Sequence, residues 1–175
     1  NENISIGIMG GSGLYEMDAL TNVSHVSLDT PFGEPSEAYV IGTLEAKRVA
    51  FLPRHGRGHR ISPSELNSRA NIYGFKKLGV EHIISLTAVG SLKEHIRPLD
   101  IVIPDQFYDC TKQRASTFFG NGLVAHIPFA DPVCPVLSSL VYNSAVEADA
   151  TVHKGGTLVC IEGPAFSTKA ESIAY

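Results

Sequence analysis

Apolar and small residues alternate at the start of the chain, with Ile4, Ile6 and Ile8 in phase, and the run Gly10-Gly11-Ser12-Gly13 follows. A period of two that ends in glycines reads as a strand entering a tight turn. Residues 39–44 and 48–53 repeat the strand signature on either side of a short turn. The period then changes. Ser62, Pro63 and Glu65 suit the N-cap, N1 and N3 positions of a helix. Leu66, Ala70 and Tyr73 recur at i, i+4 and i+7 to give that helix an apolar face, and Gly79 suits its C′ stop. Residues 83–89 are nearly all apolar, broken only by Ser85 and Thr87, which is the pattern of a strand covered on both faces.

Residues 48–89 therefore predict strand, helix, strand, a βαβ unit whose two strands run parallel. Further strands are expected over 101–104 and 157–161. A second helix is expected over 135–148, with Leu137, Leu140, Val141, Ser144, Ala145 and Ala148 on one stripe. The fold class is α/β: a mixed, largely parallel central sheet flanked by helices. Thr168 and Glu171 form a second capping box, so a helix should begin at Lys169. It would run only to Tyr175, too short to be stable alone. The reading is a single α/β domain over 1–175 that is incomplete at its C-terminus.

Length agrees with one domain: 175 residues can bury about 70% of the unfolded surface without a disulfide or metal staple. The net charge is −4, where a generic polyanion binder would show a basic excess, so no nucleic-acid partner is expected. Hydrophobic content of 43% against 18% charged excludes a disordered chain. The absence of any apolar run of about 18 residues argues against a membrane-spanning helix or membrane partner. The N-terminal apolar stretch lacks a basic flank and breaks at Gly10, unlike a secretory signal. Three cysteines (Cys110, Cys134 and Cys160) without paired spacing point to a reducing cytoplasm. Cys160, in an apolar strand, reads as core.

The βαβ unit has a geometric consequence. Parallel strands end on the same edge of the sheet, and open α/β sheets bind ligands along that edge. Arg54 and His55 follow the first strand of the unit, and Thr87 lies near the end of the second. If the first strand of the chain joins in parallel, Ser12 falls on the same edge, as does the Glu162-Gly163-Pro164 turn if its strand joins too. A guanidinium fork, an imidazole, two hydroxyls and the amides of a glycine turn are donors suited to a tetrahedral oxyanion. At about 4 Å one arginine contributes roughly 4 kcal/mol at an effective dielectric near 20. Screening over about 8 Å confines the repulsion of distant carboxylates.

Other readings carry less. His55 and His59 stand at i, i+4, a metal-ligand spacing, but Gly56 and Gly58 oppose a helix there and no third ligand is evident. Gly11 and Gly13 match two positions of G-x-G-x-x-G, with Asp29 as a ribose acid, but Glu16 holds the third glycine position and no helix follows, which disfavours a dinucleotide oxidoreductase. Phe166 reads as core packing or as a surface that stacks on a ligand.

Six runs together carry a family resemblance: GGSGLY (10–15), DTPFGEPS (29–36), RHGRGH (54–59), LTAVGSL (86–92), HIPFADP (126–132) and EGPAFSTKAES (162–172). In this order the sequence resembles the 5′-methylthioadenosine phosphorylase branch of the trimeric purine nucleoside phosphorylases. The resemblance implies that Ser12, Arg54, His55, Thr87 and the amide of Ala88 hold phosphate. It implies that Phe166 packs against a purine, and that His126 reaches into the neighbouring subunit's site near the 5′ substituent. It further implies a homotrimer, phosphate as co-substrate, and no metal or organic cofactor. The implied reaction is phosphorolysis of a purine nucleoside, most directly 5′-methylthioadenosine, with 5′-methylthioinosine, inosine or guanosine as alternatives. The acid that serves the leaving base is expected downstream of Tyr175, leaving the catalytic residue unassigned. A nucleoside- or phosphate-binding module is the non-enzymatic alternative.

Overall fold

The computed structural model describes residues 4–11 and 19–175. They divide into two units: the described residues of Asn1–Ala88 with Ala115–Phe118, and Val89–Arg114 with Phe119–Tyr175.

The first unit is built on a five-stranded sheet. Its strands are β1 (Ile6–Gly10), β2 (Thr21–Val26), β3 (Tyr39–Leu44), β4 (Lys47–Pro53) and β5 (His82–Ser85), in the order β2-β3-β4-β1-β5. β1 pairs in parallel with β4 and with β5, whereas β2, β3 and β4 are joined antiparallel. The predicted βαβ unit is present, with β1 inserted between its two strands. The parallel join of β1 was the condition set for Ser12 to share the edge of Arg54 and Thr87, and Ser12 itself lies outside the described residues. The register sets Gly10 opposite Pro53 and Met9 opposite Ser85, so the three carboxyl ends lie level.

The connecting helix α1 (Ser68–Lys77) begins later than the sequence pattern predicts. Ser62 N and Oγ both donate to Glu65 Oε2, but this box caps a separate 3₁₀ turn, Pro63–Glu65. Asn67 caps the α-helix itself, its side chain accepting from Ala70 N at 3.2 Å. The buried face is Ala70, Asn71, Gly74 and Phe75; Leu66 and Tyr73 stay half-buried. Helix stop and glycine agree: Gly79 has φ +87°, the left-handed conformation of a C′ residue.

Phe75 and Tyr39 anchor the core with Ile41, Ala50 and Leu52, their rings meeting edge to face at 5.0 Å. Two glycines admit them. A Cβ on Gly7 would stand 2.7 Å from the Phe75 ring, and one on Gly74 would collide with Tyr39 Oη. Tyr39 donates to the Asn71 carbonyl at 2.7 Å, and burial pushes its hydroxyl well above the ordinary tyrosine range. β5 is half-buried, where a strand covered on both faces was expected.

The DTPFGEPS run packs on α1. Asn67 Nδ2 donates to the carbonyls of Phe32 (2.7 Å) and Glu34 (3.2 Å), and Asn71 exchanges two hydrogen bonds with Ser36. Phe32 stacks edge-on with Tyr73 and Phe118 beneath the Arg69 guanidinium.

The second unit contains β6 (Ile101–Ile103), β7 (Gln106–Asp109), α2 (Pro135–Glu147), β8 (Val152–Lys154), β9 (Thr157–Cys160) and α3 (Lys169–Ala174). β6 pairs with β8 and β7 with β9, both parallel, so four of the six strand pairings among the described residues are parallel. The strand before the Glu162 turn thus belongs to a two-stranded sheet with β7 and does not extend the five-stranded one. α2 packs on β6 and β8, with Lys154 Nζ of β8 donating to Ser139 Oγ and lying over the Tyr142 ring; of the predicted stripe Leu137, Val141 and Ala145 are half-buried, and Leu140, Ser144 and Ala148 are exposed. Thr168 caps α3 with Glu171 as expected. Cys160 is half-buried and not core, its Sγ 3.8 Å from Arg114 Nη1. Among the described residues no helix is long and apolar enough to cross a membrane.

Candidate functional site

Where β1, β4 and β5 end level, their loops are tied together through the backbone. Arg54 N donates to the Gly10 carbonyl at 3.1 Å and Leu86 N to the Met9 carbonyl at 2.9 Å. The β4 loop and the β5 loop are therefore both hung on β1. Side chains tighten the link. Arg54 Nη1 donates to the Leu86 carbonyl at 2.7 Å, and Nη2 donates to Thr87 Oγ1 at 2.8 Å. A Cβ on Gly11 would stand 3.3 Å from Arg54 Nη2, so the missing side chain lets the guanidinium lie against the end of β1.

His55 completes the group. It is buried, only 8% exposed. Its Nε2 lies 3.2 Å from Arg54 Nε and its Nδ1 2.8 Å from the Ile61 carbonyl. Burial pushes its imidazole below the ordinary range; the Ile61 carbonyl opposes that, and the charges of Arg54 and His59 reinforce it. The His59 ring stacks on it with centroids 4.5 Å apart and planes at 29°, which is what the i, i+4 spacing produces here.

Arg54, His55 and Thr87 are thus brought into one hydrogen-bonded group, with the exposed Ala88 next in the chain. Ser12 lies outside the described residues. Phe166 and His126 both belong to the second unit and stand on irregular segments, where Phe166 is 93% exposed and His126 is exposed. Sequence reasoning missed the Leu86 and Ile61 carbonyls, because main-chain acceptors carry no residue signature. It also missed the steric role of Gly11, which the strand-then-glycine pattern could have suggested.

Chemically the group is a rigid cationic corner. The Thr87 hydroxyl accepts from the guanidinium, so its proton is directed elsewhere, and its own main-chain neighbour, the Ala88 carbonyl, is 3.5 Å away. An oriented guanidinium beside a hydroxyl at the carboxyl edge of a parallel sheet suits a phosphate-like anion.

The family model described as the phosphorylase superfamily matches residues 5–175. The chain belongs to the phosphorylase superfamily. Within that superfamily it is 63% identical over 170 residues to the S-methyl-5′-thioadenosine phosphorylase of Koribacter versatilis (strain Ellin345), an alignment covering 97% of this chain and 58% of that protein. It is 63% identical over 171 residues to the enzyme of the same name from Geobacter sulfurreducens (strain ATCC 51573 / DSM 12127 / PCA), covering 97% and 60%. Among solved structures it superposes on a methylthioadenosine phosphorylase from an antarctic soil metagenomic library with a TM-score of 0.96 at 54% identity, covering 100% of this chain and 62% of that one. The Schistosoma mansoni methylthioadenosine phosphorylase in complex with adenine gives 0.93 at 36%, covering 98% and 70%. The chain therefore spans about three-fifths of the length of the curated relatives it matches.

Proposed function

We propose that the protein carrying this chain is a phosphorylase that cleaves the glycosidic bond of S-methyl-5′-thioadenosine with phosphate, giving adenine and 5-methylthioribose 1-phosphate. The observation that carries this is the Arg54–Thr87 corner at the level ends of β1, β4 and β5. The names of the similar proteins support the choice of nucleoside.

In this reading phosphate binds among Arg54, Thr87, the Ala88 amide and Ser12, with His55 beside Arg54. Phosphate attacks C1′ while the base departs through an oxocarbenium-like transition state. A dianion fixed beneath the ring is both nucleophile and counter-charge, so it stabilises the transition state more than the substrate. Phe166 packs on the purine and His126 serves a neighbouring subunit in a homotrimer. The acid that assists the leaving base comes from residues following Tyr175. Neither a metal nor an organic cofactor takes part, and the enzyme works in purine salvage in the cytoplasm.

The test is base release from S-methyl-5′-thioadenosine with and without inorganic phosphate. Release should require phosphate; release at equal rate without it would make the protein a hydrolase instead. Arg54→Ala removes charge-assisted hydrogen bonding to the anion worth about 1.5–3 kcal/mol. The KM for phosphate should therefore rise about 10- to 100-fold, at about tenfold per 1.4 kcal/mol. An unchanged phosphate dependence would take Arg54 out of the site.

A further inference from the structure

We propose that His55 serves the anion site as a positioning residue that acts through Arg54, with His59 as its brace. The inference rests on the phosphorylase reading and specifies how that site is held.

The partners of the ring decide its protonation. The Ile61 carbonyl can only accept, so Nδ1, 2.8 Å away, carries the proton. Arg54 Nε–H can only donate, so Nε2, 3.2 Å away, is bare and accepts. Both ring nitrogens are thereby committed inside the protein, and the ring is neutral. A neutral imidazole with its one N–H on Ile61 offers no side-chain donor to a phosphate. Its influence passes through Arg54, whose Nε edge it fixes while Nη1 and Nη2 are fixed by Leu86 and Thr87. Bound at all three nitrogens, the guanidinium plane cannot swing.

His59 supports this arrangement from above. Its backbone is left-handed, φ +54°, a conformation few residues other than glycine adopt. Two turn bonds hold it there: His59 N to the Gly56 carbonyl and Ile61 N to the His55 carbonyl, each 3.1 Å. The product of this strained turn is a ring laid across one face of His55 at 4.5 Å, and the same turn delivers the Ile61 carbonyl to Nδ1. One six-residue loop thus sets the tautomer, the tilt and the cover of the imidazole.

The experiment uses the active protein, with inorganic phosphate varied at saturating nucleoside. His55→Gln places an amide oxygen where Nε2 was and can still accept from Arg54 Nε. His55→Asn keeps only a donor towards Ile61. His59→Asn tolerates the left-handed backbone and removes the ring. Losing the bond to Arg54 in His55→Asn should raise the phosphate KM about tenfold. His59→Asn should raise it less, about threefold, while the nucleoside KM stays put in both. His55→Gln should recover a phosphate KM within about threefold of the parent. In the unaltered protein, ¹⁵N spectra of the histidines should show His55 protonated at Nδ1 and bare at Nε2. A phosphate KM unmoved by His55→Asn, a Gln variant as impaired as the Asn variant, or a proton found on Nε2 would each overturn the proposal. Arg54→Ala run alongside separates the two layers: if it leaves the phosphate KM unchanged, the site reading fails, and the relay with it. If Arg54→Ala is impaired and the histidine variants are not, only the relay fails.

Discussion

Leu99 has φ +76° and is 99% exposed. It sits at the third position of the turn Arg97-Pro98-Leu99-Asp100, closed by Asp100 N donating to the Arg97 carbonyl at 3.1 Å. Proline at the second position and a positive φ at the third define a type II turn, which asks for glycine or asparagine where leucine stands. The left-handed conformation costs a side-chain-bearing residue about 1–2 kcal/mol. Glycine would give back about 0.4–1 kcal/mol through the freer unfolded chain. No buried surface is lost, so Leu99→Gly should stabilise by about 0.5–1 kcal/mol, raising the melting temperature by roughly 1–4 °C in a scanning calorimeter. A lower melting temperature would show that Leu99 makes an apolar contact in the working protein. At this scale the site was half legible in the sequence. Arg54 and Thr87 could be placed because the order and direction of their strands could, although β5 ends at Ser85 where the sequence pattern ran on to 89, and Thr87 lies in the loop beyond it. The tautomer of His55 could not, since it depends on a carbonyl six residues away that any amino acid would supply.

Asn71 shows the same limit for a whole element. It is 2% exposed on α1, where apolar residues alone were expected to face inward. Ser36 N donates to its Oδ1 at 2.8 Å, and its Nδ2 donates to Ser36 Oγ at 2.9 Å. The helix is fastened to the loop before β3 by these two bonds as much as by Phe75. Asn71→Ala strands two buried polar groups on Ser36, each costing about 1–3 kcal/mol. The expected loss is about 2–4 kcal/mol, read as a lower urea midpoint at unchanged slope. A loss below about 0.5 kcal/mol, the level of a surface change, would mean water replaces the amide. The strands of the first sheet were readable where apolar runs met turn residues. β2, with five of its six residues exposed, has no apolar face to read, and β7 is exposed throughout. The start of α1 was misplaced because the Ser62–Glu65 box is a valid start signal for the 3₁₀ turn that precedes it.

At the scale of the molecule, the two units differ in what they leave uncovered. In the second, Leu123, Val124, Ile127 and Phe129 are 58–76% exposed on one stretch of chain that also carries His126. A run of apolar side chains this open is an interaction liability for a protein that works alone. It supports the proposed homotrimer, in which that stretch lies against a neighbour. Sedimentation equilibrium of the intact protein should return three times the subunit mass, and Ile127→Asp should shift it towards one. A monomeric parent would remove the interface and the intersubunit role of His126 together.

The level ends of β1, β4 and β5 draw the cationic corner from stretches of chain more than thirty residues apart, so it has no existence in the denatured ensemble. Whatever anion settles there recognises only the finished article and pulls the folding equilibrium towards it. Free phosphate at about a hundred times its dissociation constant would add roughly 2.7 kcal/mol of protection against heat. In the Arg54→Ala protein, with phosphate held 10- to 100-fold more weakly, the same salt should add only about 0.4–1.4 kcal/mol, making a test-tube thermometer a gauge of occupancy without any nucleoside present.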